Sequence, residues 1–355
     1  MTPKTMGGLP IEAPGPPRSP WQRFYGGVHR LRHTWYAKRA ARLPRPVISI
    51  GNLCWGGGGK TPLTAAVAAH LRDSGRRVAI LSRGYRSKGE GVRVVSRGEG
   101  PLLGPRLAGD EPVLLAGLLP GVAVVVCPDR HLAGQHALER LDQPPDLFLL
   151  DDGFSHLRLA RDLDIVVFPA ADPFSGGRLP PGGRLREPLA SSRRADVAIL
   201  SGGHDLEAGE QLARTLRPHG FAGPGFVSRT VAESPRLVPS GEPLGNPTRV
   251  LVVSGIARPQ SFLDTVRRSG HEIAEVLSYG DHHDYPEATL ETITETYRQS
   301  GAEAILTTGK DRVKLQGRLD LPMAEIAIRA EPDPRFFGWL DKRLGEIETR
   351  VSGQP

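Results

Sequence analysis

The chain has 355 residues, of which 39% are hydrophobic and 24% are charged, and its formal net charge is +7. This length is sufficient for two domains of ordinary size. No apolar run approaches the ~20 residues that a membrane-spanning helix needs, and no apolar leader segment is evident. Two cysteines, Cys54 and Cys127, are too few for a disulfide framework. We therefore expect a soluble globular protein of a reducing compartment.

The excess positive charge is confined to the N-terminal arm. Residues 1–45 contain nine Lys or Arg residues and one acidic residue, which leaves 37 basic and 38 acidic residues for the rest of the chain. This distribution argues against a uniformly basic surface of the kind that binds nucleic acid. We expect no nucleic-acid partner, and no obligate protein partner is evident.

The N-terminal arm has two parts. Residues 1–20 are rich in Pro and Gly and are predicted to be disordered. From Trp21 to Arg42, apolar residues recur at helical spacing among many basic residues, which predicts an amphipathic helix within 21–45. Such a helix can lie on an anionic membrane, or it can pack on its own domain and leave a solvated basic face. The residues alone favour neither interpretation.

A phosphate-binding loop is predicted after the first strand. The β-branched stretch Val47–Gly51 is followed by Trp55, by Gly56, Gly57, Gly58 and Gly59, and then by Lys60 and Thr61. Glycines let backbone N–H groups face an anion at a helix N-terminus. Lys60 would reach the phosphates and the Thr61 hydroxyl would bind Mg²⁺. Cys54 occupies the first glycine position of the standard P-loop motif, and a simple glycine-rich turn is the alternative. We expect a nucleoside triphosphate to bind here.

Strand and helix patterns alternate through most of the chain after residue 46. Predicted strands cover 46–51, 77–82, 122–127, 146–151, 163–168 and 196–200, with helices at 61–73, 111–118, 130–140 and 205–216. A second series has strands at 249–254, 273–278, 303–307 and 324–329 and helices at 260–269, 286–299 and 333–347. This alternation predicts parallel sheets covered by helices. The glycine-rich insert 87–104 is predicted to be a hairpin or lid outside the sheet core.

The resulting fold class is α/β, with a P-loop NTPase-like parallel-sheet domain and a second, smaller, Rossmann-like α/β domain. We assign residues 46–230 to the first domain and residues 248–355 to the second. The Pro- and Gly-rich segment 231–247 is the predicted hinge.

Acidic, histidine and arginine residues follow several predicted strands, where open α/β sheets place their ligands. Asp151 and Asp152 end an apolar strand and could hold Mg²⁺, although paired acids also begin ordinary turns. Asp110 could cap a helix. His282, beside Asp281, suits a general base, since no spaced set of metal ligands is visible around it. Arg184 and Arg186 could bind phosphate or could simply begin a helix.

These motifs form an ordered series. It consists of Gly51–Pro62, Leu81–Tyr85, Gly109–Pro112, Cys127–Arg130, Asp151–His156, Arg186–Pro188, Asp281–His283 and Thr307–Asp311. In this order and spacing the chain resembles the tetraacyldisaccharide 4′-kinase (lipid A 4′-kinase) family from about Trp21 to about Leu344. The resemblance implies transfer of the ATP γ-phosphate to the 4′-hydroxyl of a tetraacylated glucosamine disaccharide 1-phosphate, which makes lipid IVA. It also implies peripheral attachment to the cytoplasmic face of the inner membrane through the N-terminal helix, and so favours the membrane interpretation of that helix.

The resemblance also assigns roles to individual residues. It implies that the loop glycines, Lys60, Thr61 and Arg186 bind ATP, and that Thr61, Asp151, Asp152 and Glu187 organise Mg²⁺. It implies that Asp110 and His282 activate the acceptor hydroxyl, with Lys60 as the third catalytic residue. Because we assign Asp110 to the first domain and His282 to the second, we expect domain closure to bring them together.

The sequence departs from the family pattern at four positions. Gly58 replaces a Thr or Ser, Ser155 a Gln, Arg258 an Asn and Gly309 a Glu. None of these changes removes a residue with a proposed catalytic role.

Two other classes of protein share part of this pattern. A partitioning-type P-loop ATPase carries a signature lysine at the position that Trp55 occupies here, so this chain lacks the key feature of that class. A nucleotide sensor whose basic arm binds nucleic acid is disfavoured by the near-neutral charge of residues 46–355.

Overall fold

The computed structural model describes residues 20–37, 39–56, 58–180 and 182–352. The helices are α1 (Pro20–Ala37), α2 (Lys60–Asp73), α3 (Pro105–Ala108), α4 (Asp110–Leu118), α5 (Arg130–Arg140), α6 (Glu207–Leu216), α7 (Pro259–Arg268), α8 (Glu287–Ser300), α9 (Gly309–Leu315) and α10 (Pro334–Ser352). The strands are β1 (Val47–Gly51), β2 (Val78–Ser82), β3 (Arg93–Ser96), β4 (Ala123–Val126), β5 (Leu147–Asp151), β6 (Leu163–Pro169), β7 (Val197–Ser201), β8 (Gly225–Ala232), β9 (Arg236–Val238), β10 (Arg249–Ser254), β11 (Glu272–Ser278), β12 (Ala304–Thr308), β13 (Met323–Ile326) and β14 (Ile328–Pro332).

The chain forms two compact units, and neither is continuous in sequence. Within the described residues, unit 1 comprises 20–83, 127–230 and 330–352, and unit 2 comprises 84–126 and 231–329. This division differs from the predicted boundaries in two places. Residues 84–126 group with the second series of strands, where Lys310 forms an ion pair with Glu111. Helix α10 returns to unit 1, where Asp341 bonds His70 and Glu348 bonds Arg76.

Unit 1 contains a parallel sheet in the order β8-β7-β6-β1-β5-β2. β1, β2, β5, β6 and β7 are buried along their whole length, as expected for a sheet with helices on both faces. Ile50 of β1 pairs with Asp151 of β5. The glycine loop and the two aspartates therefore leave the sheet at the same edge.

Unit 2 contains a five-stranded sheet in the order β11-β10-β12-β13-β9, in which only β9 runs antiparallel. Strands β3 and β4 of this unit pair with each other in antiparallel orientation. The insert 87–104 thus contains a strand, with Val95 buried, where the sequence predicted only a hairpin or lid. The predicted hinge likewise contains β9, whose three residues pair with β13.

The predicted strands and helices are confirmed except at a few points. The predicted strand 324–329 is two strands, β13 and β14. β8, α3 and α9 were not predicted. Helix α1 ends at Ala37, short of Arg42. Arg39 instead turns back to bond Tyr36, and Ala41 bridges to Leu159.

Helix α1 has two different faces. Phe24, Val28, Leu31 and Trp35 lie within about 60° of one another around the helix, at 100° per residue. Leu31 is 74% exposed and Trp35 is 52% exposed. Tyr25, on another face, packs against the core of unit 1. No helix in the described ranges combines the length and hydrophobicity of a membrane span. The predicted disordered tail, residues 1–20, lies outside the described residues apart from Pro20, where α1 begins.

Candidate functional site

The predicted site residues form two clusters, one in each unit. We call Lys60, Asp151, Asp152, Arg186 and the glycine loop the loop cluster, in unit 1. We call Asp110, Glu111, His282, Lys310 and Lys314 the histidine cluster, in unit 2.

The glycine loop ends in a backbone conformation that only glycine adopts easily. Gly59, the residue before α2, has φ +78°, and a Cβ there would overlap the Ser201 hydroxyl. Gly56 has φ +106°, and a Cβ there would meet the Arg184 guanidinium. The prediction for Gly57 falls outside the described residues. These glycines therefore let the loop turn sharply into the N-terminus of α2.

A short antiparallel bridge attaches Arg186 to this loop. Trp55 N donates to the Arg184 carbonyl over 2.8 Å, and Arg186 N donates to the Leu53 carbonyl over 2.7 Å. Cys54 and Leu185 pair between them. The arginine segment thus forms an isolated β-bridge with the loop, and Arg184 and Arg186 do not begin a helix.

Asp152 joins the cations of the loop cluster. Its Oδ2 accepts a hydrogen bond from Arg186 Nη1 at 2.8 Å, and its Oδ1 lies 3.5 Å from Lys60 Nζ. Burial would raise the pKa of the Asp152 carboxyl, but the charges of Lys60 and Arg186 outweigh it and lower the pKa. Asp152 has φ +53°, a conformation that turns the chain as soon as β5 ends.

Asp151 faces a different partner. Its Oδ1 accepts a hydrogen bond from the Thr64 hydroxyl at 3.2 Å, and its side chain is buried. The two consecutive aspartates therefore point to different neighbours, as adjacent residues at the end of a strand do. Thr61 lies in the first turn of α2 and is partly exposed.

Glu187 has both carboxylate oxygens engaged by protein groups. Ser155 Oγ donates to Oε1 at 2.6 Å, and Arg194 binds Oε2 in a buried ion pair. Ser155 therefore has a defined partner in this chain. Among the described residues, no three His, Cys, Asp or Glu side chains are grouped as metal ligands.

Arg130, at the start of α5, was not among the predicted site residues. It is 4% exposed, its Nε has no hydrogen-bond partner among the described residues, and Asp151 and Asp152 are among the charges that act on it. Burial and the charge of Arg83 lower its pKa to about 10. Its sequence signals are the motif Cys127–Arg130, which contains it, and Asp129, which caps α5 and so fixes the first helical residue after β4.

The histidine cluster brings Asp110 and His282 into direct contact. His282 Nδ1 lies 3.0 Å from Asp110 Oδ2. Because an ionised carboxylate only accepts hydrogen bonds, Nδ1 carries the proton and Nε2 is the basic nitrogen. Both residues lie in unit 2, so the expectation that domain closure brings them together is wrong. Residues 84–126 already belong to the unit that carries His282.

Charged groups surround this pair. Lys314 Nζ lies 3.1 Å from Asp110 Oδ2, and Lys310 Nζ bonds Glu111 Oε1 at 2.5 Å. Burial would raise the pKa of Asp110, but the hydrogen bond with His282 and the Lys314 ammonium lower it. Glu111 Oε1 and an oxygen of Asp281 lie 3.9 and 3.8 Å from His282 Nε2. Two carboxylates therefore lie within 4 Å of the nitrogen that is free to accept a proton from the acceptor.

In the sequence, Lys310 lies within the motif Thr307–Asp311, whereas Lys314 lies in none of the motifs named above. They stand four residues apart in the sequence, at 310 and 314, and so lie on one face of α9. This spacing was available, but the short helix itself was not predicted.

Comparison with known proteins gives a consistent result. The family model described as tetraacyldisaccharide-1-P 4′-kinase matches residues 19–345. The tetraacyldisaccharide 4′-kinase of Geobacter sulfurreducens is 41% identical over 88% of each chain, and that of Syntrophus aciditrophicus is 38% identical over 92% of this chain and 94% of the relative. A crystal structure described as the apo form of LpxK from Aquifex aeolicus, in complex with ATP, has a TM-score of 0.71 and 34% identity, covering 92% of this chain and 97% of the other. This chain is a member of the tetraacyldisaccharide-1-P 4′-kinase family.

Proposed function

We propose that this protein transfers the γ-phosphate of ATP to the 4′-hydroxyl of a tetraacyldisaccharide 1-phosphate. The observation that carries the proposal, beside family membership, is the Asp110–His282 contact at 3.0 Å. A P-loop ATPase of the partitioning type transfers the phosphate to water, which it must position. A kinase transfers the phosphate to an alcohol, whose proton a base must accept. A histidine with its proton-bearing nitrogen held by a carboxylate supplies that base.

The loop cluster would bind the nucleotide. Gly56–Gly59 would direct backbone N–H groups at the phosphates, with Lys60 and Arg186 as the cations and Thr61 beside them. Without a nucleotide, both cations form ion pairs with Asp152. A triphosphate would compete with that carboxylate for both of them.

The oxygen donors at this edge of the sheet fit Mg²⁺. This ion prefers few protein ligands, commonly one hydroxyl and one or two carboxylates, with phosphate and water completing its shell. Thr61, Asp151 and Asp152 are such donors. Glu187 is the fourth residue predicted to organise Mg²⁺, and its two carboxylate oxygens are bound by Ser155 and Arg194. Mg²⁺ would neutralise phosphate charge during transfer. The Lys60 ammonium would also neutralise phosphate charge.

His282 would act on the acceptor. Its Nε2 would take the proton of the 4′-hydroxyl as the alcohol oxygen attacks the γ-phosphorus, and ADP would leave. Asp110 would hold the ring in the required tautomer and stabilise the imidazolium. A base of this kind contributes about 10²–10⁴-fold to the rate.

Helix α1 supports attachment to an anionic membrane surface, which we propose to be the cytoplasmic face of the inner membrane. Val28, Leu31 and Trp35 lie on one side of the helix and are 47%, 74% and 52% exposed. Arg32 and Arg39 flank them. Apolar side chains with neighbouring arginines are the combination that binds the interface of an anionic bilayer.

A transfer assay tests the reaction. Purified protein, Mg-ATP and a defined tetraacyldisaccharide 1-phosphate in mixed micelles should give the 1,4′-bisphosphate, identified by mass spectrometry. ATP consumption at the same rate without the lipid would contradict the kinase and favour the ATPase.

A flotation assay tests the membrane proposal. Leu31→Asp and Trp35→Asp should weaken binding to vesicles that contain anionic lipid, while Leu206→Asp, which changes another exposed leucine, should not. Equal binding of all three variants would refute the role of α1.

A further inference from the structure

We propose that Lys314 is a positioning residue for the Asp110–His282 pair, holding the carboxylate and the histidine loop in one arrangement. This inference rests on the proposed kinase function. Lys314 lies in the last turn of α9, and its side chain is 6% exposed. Its ammonium nitrogen lies 3.1 Å from Asp110 Oδ2, the same oxygen that accepts from His282 Nδ1 at 3.0 Å. One carboxylate oxygen is therefore fixed from two sides.

Lys314 also holds the loop that carries the histidine. Its Nζ donates to the His283 carbonyl at 2.9 Å, one residue beyond His282. His282 has φ +60°, a conformation that is strained for a residue with a side chain and needs support from its surroundings. The ammonium supplies part of that support. It therefore connects both members of the pair to α9.

A second carboxylate anchors Lys314 itself. Asp311 Oδ1 lies 3.6 Å from Nζ, and Asp311 is fully buried. The other oxygen of Asp311 accepts from Gly255 N at 3.0 Å and from the Thr308 hydroxyl at 2.7 Å. The position of the ammonium is thus set by groups at the ends of β10 and β12.

The charges around Asp110 show what removal of this ammonium would do. The titratable and charged groups around Asp110 and its direct partners, from α4, α9 and the loops, are Tyr85, Arg86, Glu111, Asp281, His282, Tyr285, Lys310, Asp311 and Lys314. Of the two lysines, only Lys314 contacts Asp110 directly. Without its charge, the partly buried Asp110 carboxylate and the fully buried Asp311 carboxylate would have no ammonium between them. The Asp110 carboxyl would then take up a proton at higher pH.

Substitutions at position 314 separate charge from packing. Lys314→Met removes the charge and keeps the length of the side chain, and Lys314→Arg keeps the charge. Lys314→Gln can still donate to the His283 carbonyl without a charge, and it replaces the Met variant if that variant does not fold. Arg312→Met is the matched control, because it breaks an ion pair of the same helix, with Glu325, away from Asp110.

We expect Lys314→Met to lower kcat by about 30-fold or more while the KM for ATP changes less than about twofold. The acid limb of the pH profile should move up by about one unit. Lys314→Arg should keep the limb near its original position, and Arg312→Met should leave kcat within about threefold. A limb that does not move, or an equal loss in Arg312→Met, would overturn the proposal.

A measurement without activity keeps this proposal separate from the kinase assignment. Carbon-13 NMR of aspartate-labelled protein, assigned with Asp110→Asn, follows the Asp110 carboxyl through its titration. Its midpoint should rise in Lys314→Met and not in Arg312→Met. Failure of the wild-type protein to phosphorylate lipid would refute the kinase, whereas an unchanged Asp110 midpoint would refute the role of Lys314.

Discussion

The loop cluster and the histidine cluster use the same kinds of side chain in opposite ways. In the loop cluster Asp152 is 38% exposed and holds two cations, Lys60 and Arg186, that a triphosphate can draw away. In the histidine cluster Asp110 is 14% exposed and Lys314 only 6%, and their partners are fixed by several hydrogen bonds. The first arrangement suits exchange of partners with an anion. The second suits a base whose geometry must not change.

The largest effect should follow from the loop cluster. Lys60→Ala should reduce phosphate transfer by about 10³–10⁵-fold, the loss typical when a cation that stabilises phosphoryl transfer is removed. Transfer is measured with radiolabelled ATP and lipid acceptor. Lys342→Ala, which changes an exposed lysine of α10, should retain wild-type activity. Transfer by Lys60→Ala within tenfold of the wild-type rate would mean that Lys60 does not contact the phosphates.

The histidine cluster should affect the rate and not nucleotide binding. His282→Ala should lower kcat by about 10²–10⁴-fold, because the acceptor loses its base. The dissociation constant for ATP, measured by calorimetry, should stay within about threefold. A comparable loss of ATP affinity would instead assign His282 to the nucleotide site and would remove the contrast between the clusters.

The two clusters also differ in how far the sequence could predict them. The glycine loop, Lys60 and Thr61 are contiguous, so local pattern and helix–strand context were enough. Asp110 and His282 are 172 residues apart, and their association came only from the family resemblance. The sequence placed them in separate domains because a chain that leaves a unit and returns to it has no local signature. Residues 84–126 look like one more strand–helix repeat.

The supporting residues were hardest to predict. Lys310 and Lys314 lie on a seven-residue helix, which is too short for a periodic apolar pattern. The bridge between residues 53–55 and 184–186 joins segments about 130 positions apart through backbone groups, which any sequence provides. In both cases the decisive interactions are long-range, whereas the patterns that we used are local.

His156, a residue of unit 1, is a partly buried histidine that, unlike His282, has no carboxylate hydrogen-bonded to its ring among the described residues. Burial and the charge of Arg130 lower the pKa of this imidazole to about 4, and its Nε2 has no hydrogen-bond partner among the described residues. The unfolded chain binds a proton below about pH 6.5, and the folded chain does so only near pH 4. Stability is therefore lost as the pH falls through this window, by up to about 3 kcal/mol.

Urea denaturation at several pH values tests this sign. His156→Gln should reduce the loss of unfolding free energy between pH 7 and pH 4.5, while His204→Gln, at an exposed position, should leave it unchanged. An identical slope in wild type and His156→Gln would show that the folded protein accepts this proton readily.

The smallest expected effect concerns Gly58, where the family resemblance implies a Thr or Ser. A Cβ at this position would lie 3.1 Å from Asn52 Nδ2, and Gly58 has no left-handed φ that would oppose a side chain. Asn52 is 1% exposed, and neither of its amide atoms has a hydrogen-bond partner among the described residues. A serine hydroxyl could accept from this amide and donate to a phosphate. One added hydrogen bond contributes about 0.5–1.5 kcal/mol.

Gly58→Ser should therefore lower the KM for ATP by about 2–10-fold with kcat nearly unchanged. Gly345→Ser, in open space on α10, is the matched control and should change neither parameter. A higher KM would mean that Asn52 cannot yield the few tenths of an ångström that the new side chain requires. The loop cluster would then be as rigid as the histidine cluster, and the contrast between exchangeable and fixed partners would apply to its cations alone.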